Sequence, residues 1–434
     1  MKFKEYFFVI YYLLLVVVLQ MQQSEVMPST GIRLAYIAAV MWPLYSVRKD
    51  ALPIVIGLFF TITNYNFSYS YMPYEVYQYD ALIAIGLIFG YNKNTHTRLV
   101  FPRFLWLWFA LITFIDVVTE FHIYYISYSI LGIALLWPYL KFGEEKQLQL
   151  MSYGIIVTSV VLSLSFIIFG KNYVEAYYGG GGFDREGWTD PNYFGCAAGM
   201  GIVAAGIELL RKKNSLIIQI VLSASIVVIL ACLATNASRG AILAVALSGF
   251  ILISLTKTKP IYKVLAAILI VAAIFFLDQY GYFELLKYRI ENDSNGGSGR
   301  TTIWANKLNR FFEDANFFNY FIGMGQEGGR ALALNTGIST GFHNDFVAFF
   351  CEYGLIGLVL YFKWLWYPIK QTIQNKGLVI SIVIYIAACS LTLEPITAGR
   401  FTYFIFWIYS VMLSICLNNN DKINNEKEAL SIKL

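Results

Sequence analysis

The stretch SLIIQIVLSASIVVILACLAT (215–235), then NASRG (236–240), then AILAVALSGFILISLT (241–256) decides the fold class. Its two apolar runs carry no Asp, Glu or Lys, and each comes close to the roughly 20 residues a helix needs to cross a hydrocarbon core about 30 Å thick. The residues are apolar all round rather than on one stripe, so lipid rather than a soluble core must solvate them. Similar blocks recur along the 434 residues, 58% of which are hydrophobic and 14% charged, with a mean hydropathy of +0.59. This composition excludes a soluble globular protein and predicts an all-α polytopic membrane protein, because backbone groups in lipid must be satisfied within the spanning segment.

Working outward, the hydropathy places spans near 6–20, 31–47, 51–66, 76–91, 99–117, 121–140 and 151–170. Others fall near 193–210, 215–235, 240–256, 261–278, 343–367, 377–393 and 401–417, which makes about fourteen. The first, Tyr6 to Leu19, follows Lys2 and Lys4 but has no small-residue cleavage site after it, and it reads as a retained span. Alternate loops are rich in Lys and Arg: Arg48 and Lys49, Lys93 and Arg98, Lys141 and Lys146, Arg211 to Lys213, Lys257 to Lys263, and Lys370 with Lys376. Those loops are expected to be cytoplasmic, as are both termini and the tail 418–434. The opposite loops 20–30, 64–75 and 116–120 contain neither Lys nor Arg.

The whole chain, 1–434, therefore reads as one integral membrane domain with two notable external segments, a glycine-rich loop at 171–192 and a large loop at 279–342. Within the larger loop, Trp304, Leu308, Phe311 and Phe312 recur at helical spacing while Asn306, Lys307, Asn309 and Arg310 take the other face. That is the pattern of an amphipathic helix lying at the membrane interface. Asp293 to Gly299 reads as a flexible hinge before it, and no internal repeat is evident.

Basic residues on the external side run against the topological bias, so Arg185, Arg239, Arg300 and the Lys307/Arg310 cluster call for a reason. A guanidinium matches phosphate oxygens with forked donors, and several together suit the diphosphate head of a lipid carrier; snorkelling to membrane phosphate is the plainer reading of any one of them. His343, one of three histidines, stands where the long loop enters a span. Helical stepping from it gives Val347, Phe350, Gly354, Gly357 and Tyr361 on one stripe, whose two glycines would let another helix approach closely. The positive end of the helix dipole disfavours an imidazolium there, which suits a general base, although a histidine that merely caps the helix fits the same pattern.

Gly179 to Gly182 lacks the Lys and Ser/Thr of a phosphate-binding loop, which argues against nucleotide binding, and nothing suggests a nucleic acid partner. Asp184 and Glu186 flank Arg185, an arrangement poorly suited to a divalent cation, so neither a metal nor another cofactor is expected. Glu352 lies within an expected span, where a carboxylate is either functional or hydrogen-bonded to a neighbouring helix. The five cysteines all fall in apolar segments without metal-ligand spacing and read as structural.

Asp190-Pro191-Asn192, Ser238-Arg239-Gly240, Gly299-Arg300 followed by Trp304, and above all His343-Asn344 with Gly354 and Gly357 resemble the bacterial O-antigen ligase and polymerase superfamily, the WaaL and Wzy proteins. The resemblance covers mainly the second half of the chain. It implies a GT-C-like glycosyltransferase of the bacterial inner membrane that uses a sugar chain carried on undecaprenyl diphosphate. It further implies metal-independent inversion, with His343 as the base and Arg239, Arg300 and Arg185 on the lipid diphosphate. A polysaccharide polymerase is the expected activity, with a ligase acting on lipid A-core as the alternative and a transporter or flippase as the reading from another class. A chain-length regulator and a flippase of the same pathway are the implied protein partners.

Overall fold

The computed structural model describes residues 99–123, 125–137, 140–167, 191–211, 214–256, 260–291, 299–332, 341–373, 375–397 and 401–431. Among the described residues the regular structure is helical: α1 Arg103–Glu120, α2 Tyr125–Leu136, α3 Glu145–Ser165, α4 Pro191–Arg211, α5 Leu216–Thr235, α6 Arg239–Leu255 and α7 Pro260–Gln279. They continue as α8 Glu284–Glu291, α9 Arg300–Asp314, α10 Asn319–Ile322, α11 Gln326–Ala331, α12 Asp345–Gln371, α13 Lys376–Thr392 and α14 Phe401–Ser431. Among the described residues, five stretches are long and apolar enough to cross a membrane: Glu145–Leu164, Asn192–Arg211, Leu216–Thr235, Asp345–Gln371 and Thr402–Asn419. Two shorter apolar helices, Arg239–Leu255 and Lys376–Thr392, stand with them. The chain is thus a helical membrane protein. The four expected spans before residue 99, Arg185 with most of its glycine-rich loop, and the 293–298 hinge lie outside the described residues.

Small residues let the helices approach. On α4 an added Cβ would meet Tyr385 of α13 and Val245 of α6 at Gly199, Ser159 of α3 and Ile229 of α5 at Gly201, and Leu252 of α6 at Gly206. Close backbone approach of this kind replaces the hydrophobic drive that lipid does not supply. Beside these contacts runs a column of buried rings, in which Trp407 lies 5.6 Å from Trp364 and 6.0 Å from Trp137, while Tyr361 lies 5.9 Å from Trp364.

The bundle has two chemically different ends. At one, Arg211 pairs with Glu145 and, at 2.8 Å, with Glu208. Asn418 there donates to the Gln371 carbonyl and accepts from the Ile373 N–H, and Gly377 touches Leu255. At the other end meet the N-termini of α4, α6 and α12, the C-terminus of α13 and the helices of the long loop. Among the described residues, Lys141, Arg211, Lys370 and Lys376 belong to the first end, and the 116–120 segment, which has neither Lys nor Arg, meets Gly325 at the second.

α12 departs most from expectation. Gly354, at φ 65 and ψ −167, breaks it into a short limb, 345–353, and a long limb, 355–371. The limbs fold together as a V: Phe349 stacks on Tyr361 with ring centroids 4.6 Å apart, and Phe346 lies 5.3 Å from Tyr361. A straight helix would hold residues 349 and 361 roughly 18 Å apart. The single stripe from Val347 to Tyr361 is therefore corrected, and what approaches the glycine is the backbone of Phe321 and Ile322 rather than a long helix. The carbonyls of Cys351 and Glu352, which face that backbone, accept instead from the N–H groups of Met324 (3.0 Å) and Gly325 (2.9 Å).

Helices α9, α10 and α11 thus form a cap on the short limb with a small core of its own, Phe311, Leu332, Phe342, Ala348 and Cys351. The amphipathic helix exists as α9, but its faces differ from the expectation. Lys307 is buried and Phe312 is half exposed, because α9 packs on protein through Phe311, 5.1 Å from Phe350.

Candidate functional site

Asn344 caps α12, its side-chain oxygen accepting from the N–H of Phe346 (2.9 Å) and of Val347 (3.2 Å). His343 therefore stands just outside the helix, at φ 51, a left-handed conformation that costs a residue with a Cβ about 1–2 kcal/mol. The chain on either side of it is pinned. Trp304 donates from Nε1 to the Phe342 carbonyl at 2.9 Å, and the Lys307 ammonium sits 3.8 Å above the Phe342 ring. The Phe342 N–H donates to Glu394 at 2.8 Å, and the Asp345 N–H donates to the Leu393 carbonyl at 3.1 Å. A strained backbone persists where its surroundings over-determine it in this way.

Arg300 and Arg239 each open a helix at this end of the bundle. Arg300 is the first residue of α9, one turn before Trp304, so the helix that holds Phe342 also presents Arg300. Arg239 opens α6 behind Ser238, whose hydroxyl reaches Asn192 at 3.5 Å, and the next residue, Gly240, touches Thr392 at the end of α13. From Thr392 the chain runs directly to Leu393 and Glu394, which hold the residues flanking His343. Asn192, Arg239, Arg300 and His343 are thereby gathered at one end of the bundle.

Two carboxylates that sequence reasoning passed over complete the arrangement. Asp345 is fully buried and accepts from the Ser390 hydroxyl (2.7 Å), the Thr397 hydroxyl (3.0 Å), and the N–H groups of Ile396 (3.2 Å) and Thr397 (3.0 Å). It locks the loop after α13 onto the start of α12. Glu394, half-buried, shares with the His343 ring the small space beside Gly341: a Cβ built there would lie 2.7 Å from Glu394 Oε1 and 3.5 Å from His343 Cε1. The available signal for Glu394 was an acid directly ahead of Pro395 in the short loop between two expected spans, on the side where the arginines lie. Glu352 is not within a straight span but at the tip of the short limb, buried against Gly329 of the cap.

Chemically, this end of the bundle offers cations at the starts of α6 and α9, a histidine with its Nδ1 shielded from solvent, and an acid beside it. Residues 224–362 match a family model described as O-antigen ligase. The matched segment runs from within α5 into the long limb of α12 and takes in Arg239, Arg300 and His343, while Glu394 lies beyond it. A search of the curated proteins gives no match.

Proposed function

We propose, from the premise that this chain belongs to the O-antigen ligase and polymerase superfamily, that it polymerises surface-polysaccharide repeat units on the outer face of the bacterial inner membrane. The donor is a sugar chain on undecaprenyl diphosphate. The hydroxyl of the acceptor attacks the anomeric carbon from the face opposite the diphosphate and gives its proton to His343. The bond from that carbon to the diphosphate oxygen breaks, its electron pair leaves with the lipid diphosphate, and the anomeric centre inverts. Arg239 and Arg300, with Arg185 from the glycine-rich loop, neutralise the departing charge, which makes a metal unnecessary. Glu394 holds the Phe342 N–H and lies beside the imidazole, so it orients the base. The observation that carries this reading is that one matched segment gathers two arginines and a backbone-strained histidine at a single end of the bundle.

A ligase that moves the finished chain to lipid A-core is the second reading, favoured by the description of the matching family. Nothing favours a flippase. Reconstitution of the purified protein with an undecaprenyl diphosphate-linked repeat unit, with and without lipid A-core, separates the two transferases. A ladder of longer lipid-linked chains without core, absent for His343→Ala, is expected; transfer only when core is supplied makes the protein a ligase. Full activity of the variant removes the histidine from the mechanism.

A further inference from the structure

The stretch Asp314-Ala-Asn-Phe-Phe-Asn-Tyr-Phe321 places four aromatic residues within five positions, and the proposed transfer uses none of them. Two asparagines build its turn. The Asn316 side chain accepts from the N–H of Phe318 (2.9 Å) and of Asn319 (3.1 Å), and the Asn319 side chain accepts from the Asn316 N–H (2.9 Å). The turn faces its rings outward: Phe317 and Phe318 are each 71% exposed and Phe321 is 41% exposed. Phe317 keeps ring contact with Phe318 at 5.9 Å and with Phe321 at 5.2 Å, so this is one contiguous aromatic patch. A patch of this kind marks a contact surface.

Its position identifies what it contacts. The backbone of Phe321 abuts Gly354 at the apex of α12. Immediately past that apex the long limb begins an outward apolar stripe, Leu355, Ile356, Val359, Phe362 and Trp366, which continues toward Lys370. The 17 residues from Leu355 to Gln371 span about 25 Å, close to the hydrocarbon thickness of a bilayer. The aromatic turn therefore stands level with the end of the lipid-facing stripe, with exposed Glu313 and Asp314 preceding it. Phe side chains of a segment lying on a membrane bury at that depth, at the boundary between headgroups and acyl chains, while the polar chain that carries them stays in the headgroups.

We propose that the 317–321 turn inserts its phenylalanine rings into the headgroup boundary of the leaflet on the His343 side and anchors the cap to the bilayer. The anchor fixes the cap, and with it Arg300 and the Phe342 clamp, relative to the lipid surface. This inference rests on the membrane reading and not on glycosyl transfer.

Nitroxide labels on single added cysteines in full-length protein, reconstituted in phosphatidylethanolamine and phosphatidylglycerol vesicles, test it; the five native cysteines are free and buried, and unsubstituted protein gives the background. Labels at Phe318→Cys and Phe317→Cys are compared with Glu313→Cys as the water reference and Val359→Cys as the lipid reference. Collision with oxygen relative to a water-soluble nickel chelate is expected to be several-fold higher at 317 and 318 than at 313, and lower than at 359. A ratio equal to that at 313 places the turn in water and overturns the proposal. Shielding from both reagents means that protein covers the patch, and overturns it equally. Because the readout is depth, its failure leaves the transfer reaction untouched, and loss of transfer leaves the anchor untouched.

Discussion

At the scale of the residue, His343 combines a functional position with a backbone it does not favour, φ 51. Glycine adopts that conformation freely. His343→Gly is therefore expected to be at least as stable as the parent in thermal unfolding, yet to transfer sugar about 10²–10⁴-fold more slowly, the range for a lost general base. A variant that is both inactive and strongly destabilised would assign the histidine to structure. Asp345 should behave in the opposite way. Its replacement by Ala strands the Ser390 and Thr397 hydroxyls and the N–H groups of Ile396 and Thr397 in a buried setting. A loss of about 3 kcal/mol is expected, measured by denaturation in detergent. The histidine and the arginines were legible in the sequence because topology makes such residues conspicuous outside. Asp345 and Glu394 were not, since their partners lie about fifty residues away and only the folded chain brings them together.

At the scale of the element, α12 shows why an apolar run does not fix the path of its helix. Hydropathy registers one long span over 343–367, and nothing in that signal reveals that Phe346 and Phe349 fold back on Tyr361. The glycine was legible, and its consequence was not. Gly354 is held at φ 65 with the Phe321 backbone against it, and Gly323, at φ 79, meets the backbone at Glu352 in return. A Cβ at Gly354 meets strain of about 1–2 kcal/mol before any clash is counted, and it must push α10 away from the short limb. Gly354→Ala is accordingly expected to expose the cap to limited proteolysis within 315–332 and to lower activity while the remainder of the bundle stays folded. Resistance equal to the parent's would show that the cap does not depend on this contact. The amphipathic period of α9 was legible for the same reason that its burial was misjudged: spacing defines a face, but it does not show that the Phe342 ring takes the Lys307 ammonium in a buried cation–π contact, worth about 0.5–2 kcal/mol.

At the scale of the whole molecule, the alternation of basic loops is the sequence feature that bears on orientation, because it depends on the summed charge of many loops rather than on any one contact. Lys141, Arg211, Lys370 and Lys376 collect at one end of the described bundle, opposite the end that gathers Arg239, Arg300 and His343. Separation of the ends does not by itself state which faces the cytoplasm. The excess of Lys and Arg supplies the expectation, which puts the His343 end outside. Glu313 on the cap and Lys376 at the head of α13 are both exposed, so a cysteine at either is open to reagent without disturbing the core. In spheroplasts, a membrane-impermeant maleimide is expected to label Glu313→Cys at once and Lys376→Cys only after the membrane is opened. The reverse pattern would place the arginines and the histidine in the cytoplasm, where a lipid-linked sugar displayed on the outer face cannot reach them, and the proposed transfer would fail on topology before any question of chemistry arose.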